Sequence, residues 1–468
     1  MNRIVPLILA VALFMEQMDS TVIATSLPAI AADLGTNPIS LKLALTTYLV
    51  ALAIFIPASG WMADRFGPRR VFMIAIGIFM IGSLMCAVAD SLGAFVVSRF
   101  IQGMGGSMMT PVARLVLVRA TERNRLIEAM AWLTIPALMG PMVGPPIGGF
   151  LTTFFSWHWI FLVNIPIGLI GIALSRIFLP VIPIQANGNF DSIGFVLSGL
   201  AASGIVFGLS VISLPALPVI YGIVAMATGI VCIVLYWLHA KRKINPVLDL
   251  NLFAIPTFRA SIVSASFARL GIGATPFLLP LMLQIGFGLT AFQSGMVTFV
   301  GAIGAIVMKF VTARIYARFG FKKVLVITIA FSALSLWVMS TFSPAMPFAV
   351  IYSILFITGV FRSVMFTGMN ALVFADIDPD KAGPATAITA VFQQVSLALG
   401  VAIAGLMVEA SLRLQGGQLG LANFQFAFFA VSVIAIVGIF PILRLNDSAG
   451  NSVSGHRSNR ISRSEQDA

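Results

Sequence analysis

Apolar segments long enough to cross a membrane recur along almost the whole chain. A transmembrane helix needs about 20 predominantly apolar residues. We read fourteen such segments, separated by short polar turns, at about residues 4–28, 41–62, 71–89, 94–118, 127–154, 158–179, 190–213, 216–238, 257–283, 290–313, 323–342, 346–374, 384–410 and 424–445. Hydrophobic residues make up 59% of the chain and charged residues 9%, which is more apolar side chain than a soluble domain can bury. The sequence therefore predicts an all-α polytopic membrane protein.

The basic residues indicate how these segments are oriented. When the N-terminus is placed in the cytoplasm, most of the 28 Lys and Arg fall in cytoplasmic loops, and two, Lys42 and Arg413, fall outside. The positive-inside rule therefore favours an even number of spans with both termini in the cytoplasm. This bias accounts for the net charge of +12 without a nucleic-acid partner. The polar residues 446–468 are predicted to form a disordered cytoplasmic tail.

Two parts of the chain repeat one another. FIQGMGGSMMT (100–110) aligns with FITGVFRSVMF (356–366), and RFGPRRV (65–71) aligns with RFGFKKV (318–324). The two offsets, 256 and 253 residues, are nearly equal, and the first also aligns two glycines of the fifth segment with two of the thirteenth. Chance similarity between helices rich in Gly and Phe is the alternative. We favour a duplicated chain.

The repeat predicts how the chain is divided. We expect two pseudo-symmetric six-helix bundles, at residues 1–180 and 256–445, with two further transmembrane helices and a cytoplasmic loop inserted at 181–255. Such repeats are typical of secondary transporters, whose binding site lies at the interface of the repeats and opens to each side of the membrane in turn.

A short loop between the second and third segments concentrates charge in a chain that otherwise avoids it. Its sequence, GWMADRFGPRR, contains Gly60, Asp64, Arg65, Gly67, Arg69 and Arg70. So tight a turn requires a positive φ, which Gly67 permits, and Gly60 permits close helix packing. The Asp64 carboxylate can accept hydrogen bonds from helix N-terminal amides, and the arginines can pair with that carboxylate or with lipid phosphates. A simple cytoplasmic anchor is the alternative.

Ionisable side chains inside membrane spans are costly and mark functional sites. Glu16 and Asp19 are three residues apart and therefore lie on one face of the first span. At the helical rise, Asp19 lies about 22 Å along the first span and Arg99 about 28 Å from the cytoplasmic end of the fourth, so their depths are similar. Burial favours the neutral form of a carboxyl, and a neighbouring arginine favours the charged form. We predict that these three residues couple transport to protons, and a static ion pair is the alternative.

Other polar residues inside the spans are candidates for the lining of a cavity. Gln102, Arg269 and Arg362 form this group. Arg269 lies in mid-span, and pairing with a carboxylate is its alternative role. Lys309 is expected to anchor a cytoplasmic helix end, and Glu409, near an outer helix end, is expected at the surface.

The fifth segment contains an unusual density of glycine and proline. In GPMVGPPIGG these include Gly140, Pro141, Gly144, Pro145, Gly148 and Gly149. Glycines four residues apart form a smooth ridge for close helix packing, and prolines bend a helix because they remove backbone donors.

Six motifs, in order along the chain, resemble those of a known family. MDSTVIATSLPAI, GWMADRFGPRR, RFIQGMGGSMM, GPMVGPPIGG, SWHWIFLVNIPIG and FDSIGF are similar to the motifs of the fourteen-span drug/proton antiporters of the major facilitator superfamily. The resemblance implies the major facilitator fold and proton-coupled efflux of amphipathic or cationic drugs across the bacterial inner membrane, driven by the proton gradient without a cofactor. It implies that the 60–70 loop braces the cytoplasmic gate in the outward-open state and that the 140–149 segment is the antiporter hinge. The family usually has Asn where this chain has Ala24, which we expect to alter either polar contacts near Asp19 or the substrate range.

Two other functions are alternatives to drug efflux. A proton symporter or an exporter of one metabolite is the alternative transporter, and a polytopic membrane enzyme is the alternative from another class. An enzyme requires a constellation such as H-E-x-x-H, and an ATPase a P-loop, and neither pattern occurs. Cys86 and Cys232 lack metal-ligand spacing. The expected partners are the lipid bilayer, protons and a small-molecule substrate; we expect a monomer and leave open an envelope efflux adaptor.

Overall fold

The computed structural model describes residues 4–121, 126–184, 190–212, 214, 217–309, 311–378, 381–415, 418–450 and 453. In these ranges every regular element is helical. Fourteen long helices follow one another: α1 (Ile4–Val22), α2 (Lys42–Phe66), α3 (Pro68–Ala87), α4 (Leu92–Ala120), α5 (Leu126–Phe154), α6 (Asn164–Phe178), α7 (Ser192–Ile212), α8 (Val219–Arg242), α9 (Pro256–Leu281), α10 (Ala291–Lys309), α11 (Phe321–Met339), α12 (Phe348–Leu372), α13 (Ala382–Gln415) and α14 (Leu421–Ile436).

Most of these helices are long enough to span a bilayer. Twelve of the fourteen, some of them together with an adjoining short helix, are both long and apolar enough to cross a membrane. The other two, α4 and α5, have 29 residues each and are therefore about 43 Å long. The predicted all-α polytopic fold is confirmed in the described part of the chain.

Shorter helical segments connect or extend the long ones. They are Ile23–Thr25, Leu27–Asp33, Pro38–Leu41, Trp159–Leu162, Leu250–Ala254, Met282–Gly286, Thr312–Phe319 and Ile439–Leu443. The first predicted span, residues 4–28, is therefore not one helix. Its α-helix ends at Val22, and Pro28 occupies the first turn of the next helix, where a missing backbone donor costs nothing.

The turn between α2 and α3 has a counterpart in the second half. Gly67 has a φ of +88° and Gly320 a φ of +74°. Each glycine separates a helix that ends in Arg-Phe from one that begins immediately after it. Because residues with a side chain rarely adopt this conformation, both copies of the RFG motif require their glycine.

Helix packing follows the same repeat. Gly144 of α5 lies against Thr21 of α1, and the aligned Gly400 of α13 lies against Leu270 of α9. A side chain at either glycine would collide with the facing helix. The six helices α1–α6 form one half of the fold, and the six helices α9–α14 form the other.

The inserted helices α7 and α8 lie beside the seam between the halves. Gly204 and Gly208 of α7 bring its backbone against α8. On its other side α7 contacts both halves, because Val206 packs with Val50 of α2 and Ala398 of α13. The pair therefore flanks the seam from outside.

The segment after α14 folds back on the second half as far as it is described. Asp447 is 2.9 Å from the ammonium group of Lys322, and Gly450 packs against Phe321. The remainder of the predicted tail, apart from Val453, lies outside the described residues.

Candidate functional site

A buried ion pair joins α1 to α4. Asp19 lies in the last turn of α1 and Arg99 lies two turns into α4. Arg99 Nη1 donates to Asp19 Oδ2 over 2.7 Å, and both side chains are 0% exposed. The helical rise placed the two residues at similar depth, and the structure shows that they also face each other.

Two amides and a hydroxyl complete the surroundings of this pair. Asp19 Oδ1 accepts hydrogen bonds from Gln102 Nε2 and Asn164 Nδ2, each over 2.8 Å. Both amides also donate to Ser83 Oγ, over 2.7 Å and 3.2 Å respectively. Arg99 Nη1 donates in addition to Gln102 Oε1. These five buried residues, which we call the Asp19 cluster, connect α1, α3, α4 and α6.

Three neighbours of the ion pair were not predicted from the amino-acid sequence. Ser83 and Asn164 were not singled out, and neither was Tyr48 of α2, whose ring centroid is 4.2 Å from Cζ of Arg99. A cation so close to an aromatic face is stabilised by the ring quadrupole. Asn164 gave a signal, since it is a polar residue in an apolar motif, whereas Ser83 and Tyr48 gave none. Gln102, expected in a cavity, is instead fully buried in the cluster.

Glu16 lies one turn before Asp19 and outside the cluster. Its Oε2 accepts a hydrogen bond from the Thr110 hydroxyl over 2.8 Å, and the residue is 5% exposed. Arg114 lies within electrostatic reach. The carboxylate of Glu16 thus accepts a hydrogen bond from a neutral hydroxyl, whereas that of Asp19 accepts one from the charged guanidinium of Arg99.

The two halves approach each other closely at one end. A methyl group at Gly149 of α5 would collide with the carbonyl oxygen of Ala291 on α10, and one at Gly405 of α13 would collide with the side chain of Lys42 on α2. Gly149 and Gly405 are equivalent in the repeat. Each half therefore contacts the other at the same position of the repeated sequence. We call this region the closed end.

Two charged residues are buried at the closed end. Lys42 is 0% exposed and Glu409 of α13 is 4% exposed. Lys42 lies within electrostatic reach of Glu409, which also accepts a hydrogen bond from Arg413 Nε over 3.2 Å. The surface location predicted for Glu409 is therefore wrong. The opposite charges of Lys42 and Glu409 meet across the seam, and each compensates the cost of burying the other. The depth of a residue along its own helix does not reveal such a partner on the other half.

Away from the closed end, the halves enclose a cavity of about 340 Å³. Residues from both halves line it, among them Thr21, Pro141, Pro145, Leu279, Thr298, Lys309, Met339, Leu355 and Arg362. Lys309 is exposed at the end of α10 remote from the closed end, so the cavity reaches that side of the bundles. Neither Glu16 nor Asp19 lines the cavity.

Three of the α5 glycines face α1. A Cβ at Gly140 would lie 2.8 Å from Cβ of Gln17, and side chains at Gly144 and Gly148 would overlap the following turns of α1. Pro141 and Pro145, on the neighbouring face of α5, line the cavity. This segment thus lies between the helix that carries Asp19 and the space between the halves.

The 60–70 loop lies at the end opposite the closed end. Arg119 Nη2 of α4 donates to Asp64 Oδ1 over 2.7 Å, so that the carboxylate contacts its own half. Gly67 has the predicted positive φ. A Cβ at Gly60 would meet open space, and the close helix packing predicted there is absent from this conformation.

The arginines of this loop have different surroundings. Arg69 donates to the carbonyl oxygen of Arg176 at the end of α6. Arg65 and Arg70 are exposed. Both are accessible to lipid headgroups or to the second half in another conformation.

Two arginines of the second half lie where α9 meets α12. Arg362 Nη2 donates to the carbonyl oxygen of Ile272 over 3.0 Å, and its side chain lines the cavity. Arg269 is 2% exposed, and its Nη2 donates to Asn370 Oδ1 over 2.9 Å. Arg269 does not line the cavity, and no carboxylate of the described residues lies within ion-pair distance of it.

The fold and this arrangement define a secondary transporter. The family model described as Major Facilitator Superfamily matches residues 9–258 and 261–463, and the chain belongs to that superfamily. A protein named "Putative multidrug resistance protein MdtD" from Pectobacterium atrosepticum is 33% identical over 440 residues, which cover 94% of each chain. Its namesake from Enterobacter sp. strain 638 is 34% identical over 463 residues, with 96% of each chain covered.

Solved structures share the fold at low identity. A D-xylose-proton symporter has a TM-score of 0.70 at 13% identity, with 96% of this chain and 98% of that chain covered. A POT family transporter in complex with 5-aminolevulinic acid has a TM-score of 0.70 at 14% identity, with 95% and 96% covered. These likenesses show the major facilitator fold.

Proposed function

We propose that this chain exports amphipathic small molecules from the bacterial cytoplasm in exchange for protons, by alternating access of one cavity to the two sides of the inner membrane. The observation that carries the proposal is the position of the Asp19 cluster beside the cavity. Thr21 lines the cavity and lies two residues after Asp19 on α1. A buried ion pair in one half is therefore adjacent to the space where secondary transporters bind substrate. The names of the MdtD relatives favour drug-like substrates.

We infer that the structure represents the inward-open state. The basic loops favour a cytoplasmic location for the end that carries the 60–70 loop, and the closed end then faces outward. The cavity extends from mid-membrane to Lys309, on the cytoplasmic side. In this state Asp64 pairs with Arg119 of its own half. The outward-open state would bring the 60–70 loop against the second half, where it serves as the gate brace.

Proton coupling is assigned to the ion pair. While Asp19 is ionised, its Oδ2 accepts a hydrogen bond from Arg99 Nη1. A proton bound at that oxygen removes the negative charge, and the buried guanidinium loses its compensation. Because a buried, uncompensated charge is unfavourable, proton binding favours another arrangement of α1 and α4. Because Thr21 belongs to α1 and also lines the cavity, any shift of α1 changes the shape of the cavity wall. Glu16, on the same face of α1, is the second carboxylate in this assignment.

The proposal involves no cofactor and no catalytic step. The proton gradient supplies the energy, and the chain acts as a monomer with both termini in the cytoplasm. Proton symport, or export of a single metabolite, is the alternative within the same geometry. The D-xylose-proton symporter does not favour symport, because at 13% identity its likeness shows the fold alone.

The test uses the purified full-length chain in proteoliposomes with an acidic lumen. Fluorescein and rhodamine 123 are the probes, and a growth screen in a strain without its other efflux pumps supplies further compounds. Exchange for protons predicts that a substrate accumulates in the acidic lumen and that a protonophore abolishes this accumulation. Accumulation on the alkaline side beyond that in protein-free liposomes would indicate symport, and equal accumulation with and without the gradient would contradict proton coupling.

A further inference from the structure

The charged lining of the cavity is basic. Among the described residues that line it, the ionisable ones are Lys309 and Arg362. Lys309 lies at the proposed cytoplasmic end of the cavity. Arg362 lies ten residues before the end of α12, about 15 Å deeper along the helix axis. A solute that enters from the cytoplasm therefore passes one cation and reaches another.

Arg362 has no carboxylate partner among the residues that the structure describes. Its Nη2 donates to the carbonyl oxygen of Ile272, and no carboxylate of the described residues lies within ion-pair distance of its guanidinium. Arg269, one turn before Ile272 on α9, adds a buried cation near the half-buried Arg362. Its Nε and Nη1 have no acceptor, although the residue is 2% exposed. A buried cation without a counter-ion is unfavourable, so an anion bound at this wall of the cavity would be stabilised.

Three described carboxylates that are buried in the spans have partners elsewhere. Asp19 accepts hydrogen bonds from Arg99, Gln102 and Asn164 and is sealed from the cavity. Glu16 is hydrogen-bonded to Thr110, and Glu409 lies at the closed end. Asp19 and Glu16, the two buried carboxylates predicted to couple protons, therefore contribute no charge to the cavity wall.

We propose that the substrates are amphipathic organic anions, whose carboxylate, sulfonate or phosphonate group binds the Arg362 guanidinium. This assignment rests on the proposed function, because it takes the cavity between the halves as the transport site. The planar guanidinium matches such groups with paired hydrogen bonds. The apolar part of the substrate packs against Pro141, Leu279, Met339 and Leu355. A cation is rejected by the field of Arg362, Arg269 and Lys309, so selectivity comes from repulsion as well as attraction.

Binding of two dyes with related ring systems and opposite charge tests the assignment. Fluorescein supplies the anion and rhodamine 123 the cation, and their fluorescence anisotropy is titrated at pH 8 with the purified full-length chain in detergent. We expect fluorescein to bind at least tenfold more tightly than rhodamine 123. Arg362→Gln should remove that preference, and Arg362→Lys should retain part of it. Lys323→Gln, which removes an exposed cation from the same half, is the matched control and should leave both affinities unchanged.

The outcomes separate this inference from the transport function. Tighter binding of rhodamine 123, no binding of either dye, or an equal loss of both affinities in Arg362→Gln would overturn the inference. Rhodamine 123 accumulation driven by the pH gradient in the proteoliposome assay would then leave the proposed function standing. Fluorescein binding that depends on Arg362, without movement driven by the gradient, would support the inference and count against proton-coupled transport.

Discussion

Replacement of Asp19 by Asn tests the ion pair most directly. The variant keeps the size of the side chain and one acceptor, but it leaves Arg99 without its carboxylate in a site that is 0% exposed. Removal of one partner of a buried pair costs about 3–5 kcal/mol, whereas removal of both charges is often close to neutral. We therefore expect Asp19→Asn to lose about 3–5 kcal/mol of unfolding free energy and the double variant Asp19→Asn/Arg99→Gln to lose clearly less. Glu16→Gln should lose about 1 kcal/mol, since it changes one hydrogen bond to a hydroxyl.

Unfolding of the purified proteins by SDS titration measures these differences, and the proteoliposome assay measures the consequence for transport. We expect Asp19→Asn and the double variant to exchange substrate down its gradient but to lose accumulation driven by the pH gradient. Equal stability losses in the single and double variants would show that Asp19 does not compensate Arg99. If Asp19→Asn still concentrates substrate and Glu16→Gln does not, the coupled proton belongs to Glu16 and our assignment is wrong.

Four further predictions concern other parts of the fold. Asp64→Asn should leave the amount of folded protein unchanged but slow transport several-fold, because one contact of the gate loop is lost, and equal rates at equal expression would contradict this. Lys42→Met should leave the buried charge of Glu409 less compensated and so weaken the closed end. A cysteine placed at the closed end should then react faster with a membrane-impermeant maleimide, whereas the double variant Lys42→Met/Glu409→Met should restore its protection from the reagent. Asp191 accepts hydrogen bonds from His239 Nε2 over 2.7 Å and from two backbone amides. Burial raises the pKa of this carboxyl, but those donors hold it below its ordinary value. The stability that Asp191 adds is therefore present above about pH 4 and lost as the pH falls further. Asp191→Asn should be less stable than the wild type at pH 7, and the difference should vanish on acidification. A photoactivatable substrate should label the cavity and not residues 195–235 of α7 and α8, and labelling within that range would contradict their peripheral role.

The amino-acid sequence by itself determined the elements and their order. Apolar length predicted fourteen spans, the RFG copies at 65–71 and 318–324 predicted equivalent turns, and the positions of Asp19 and Arg99 predicted their shared depth. These properties are local, because each follows from the composition of one segment and from a rise of about 1.5 Å per residue along one helix.

Tertiary structure decided which side chains meet. Depth along a helix does not determine the direction in which a side chain points toward its neighbours, which depends on how the ridges of several helices interlock. Packing therefore brought Asn164 and Ser83 to the carboxylate of Asp19, and Lys42 and Glu409 together across the seam. It also placed Arg362 on the cavity wall and kept Asp19 and Glu16 away from it, which is the basis of the proposed anionic substrate class. The charge of the cavity wall depends on residues far apart in the chain that become neighbours only once the two halves pack together.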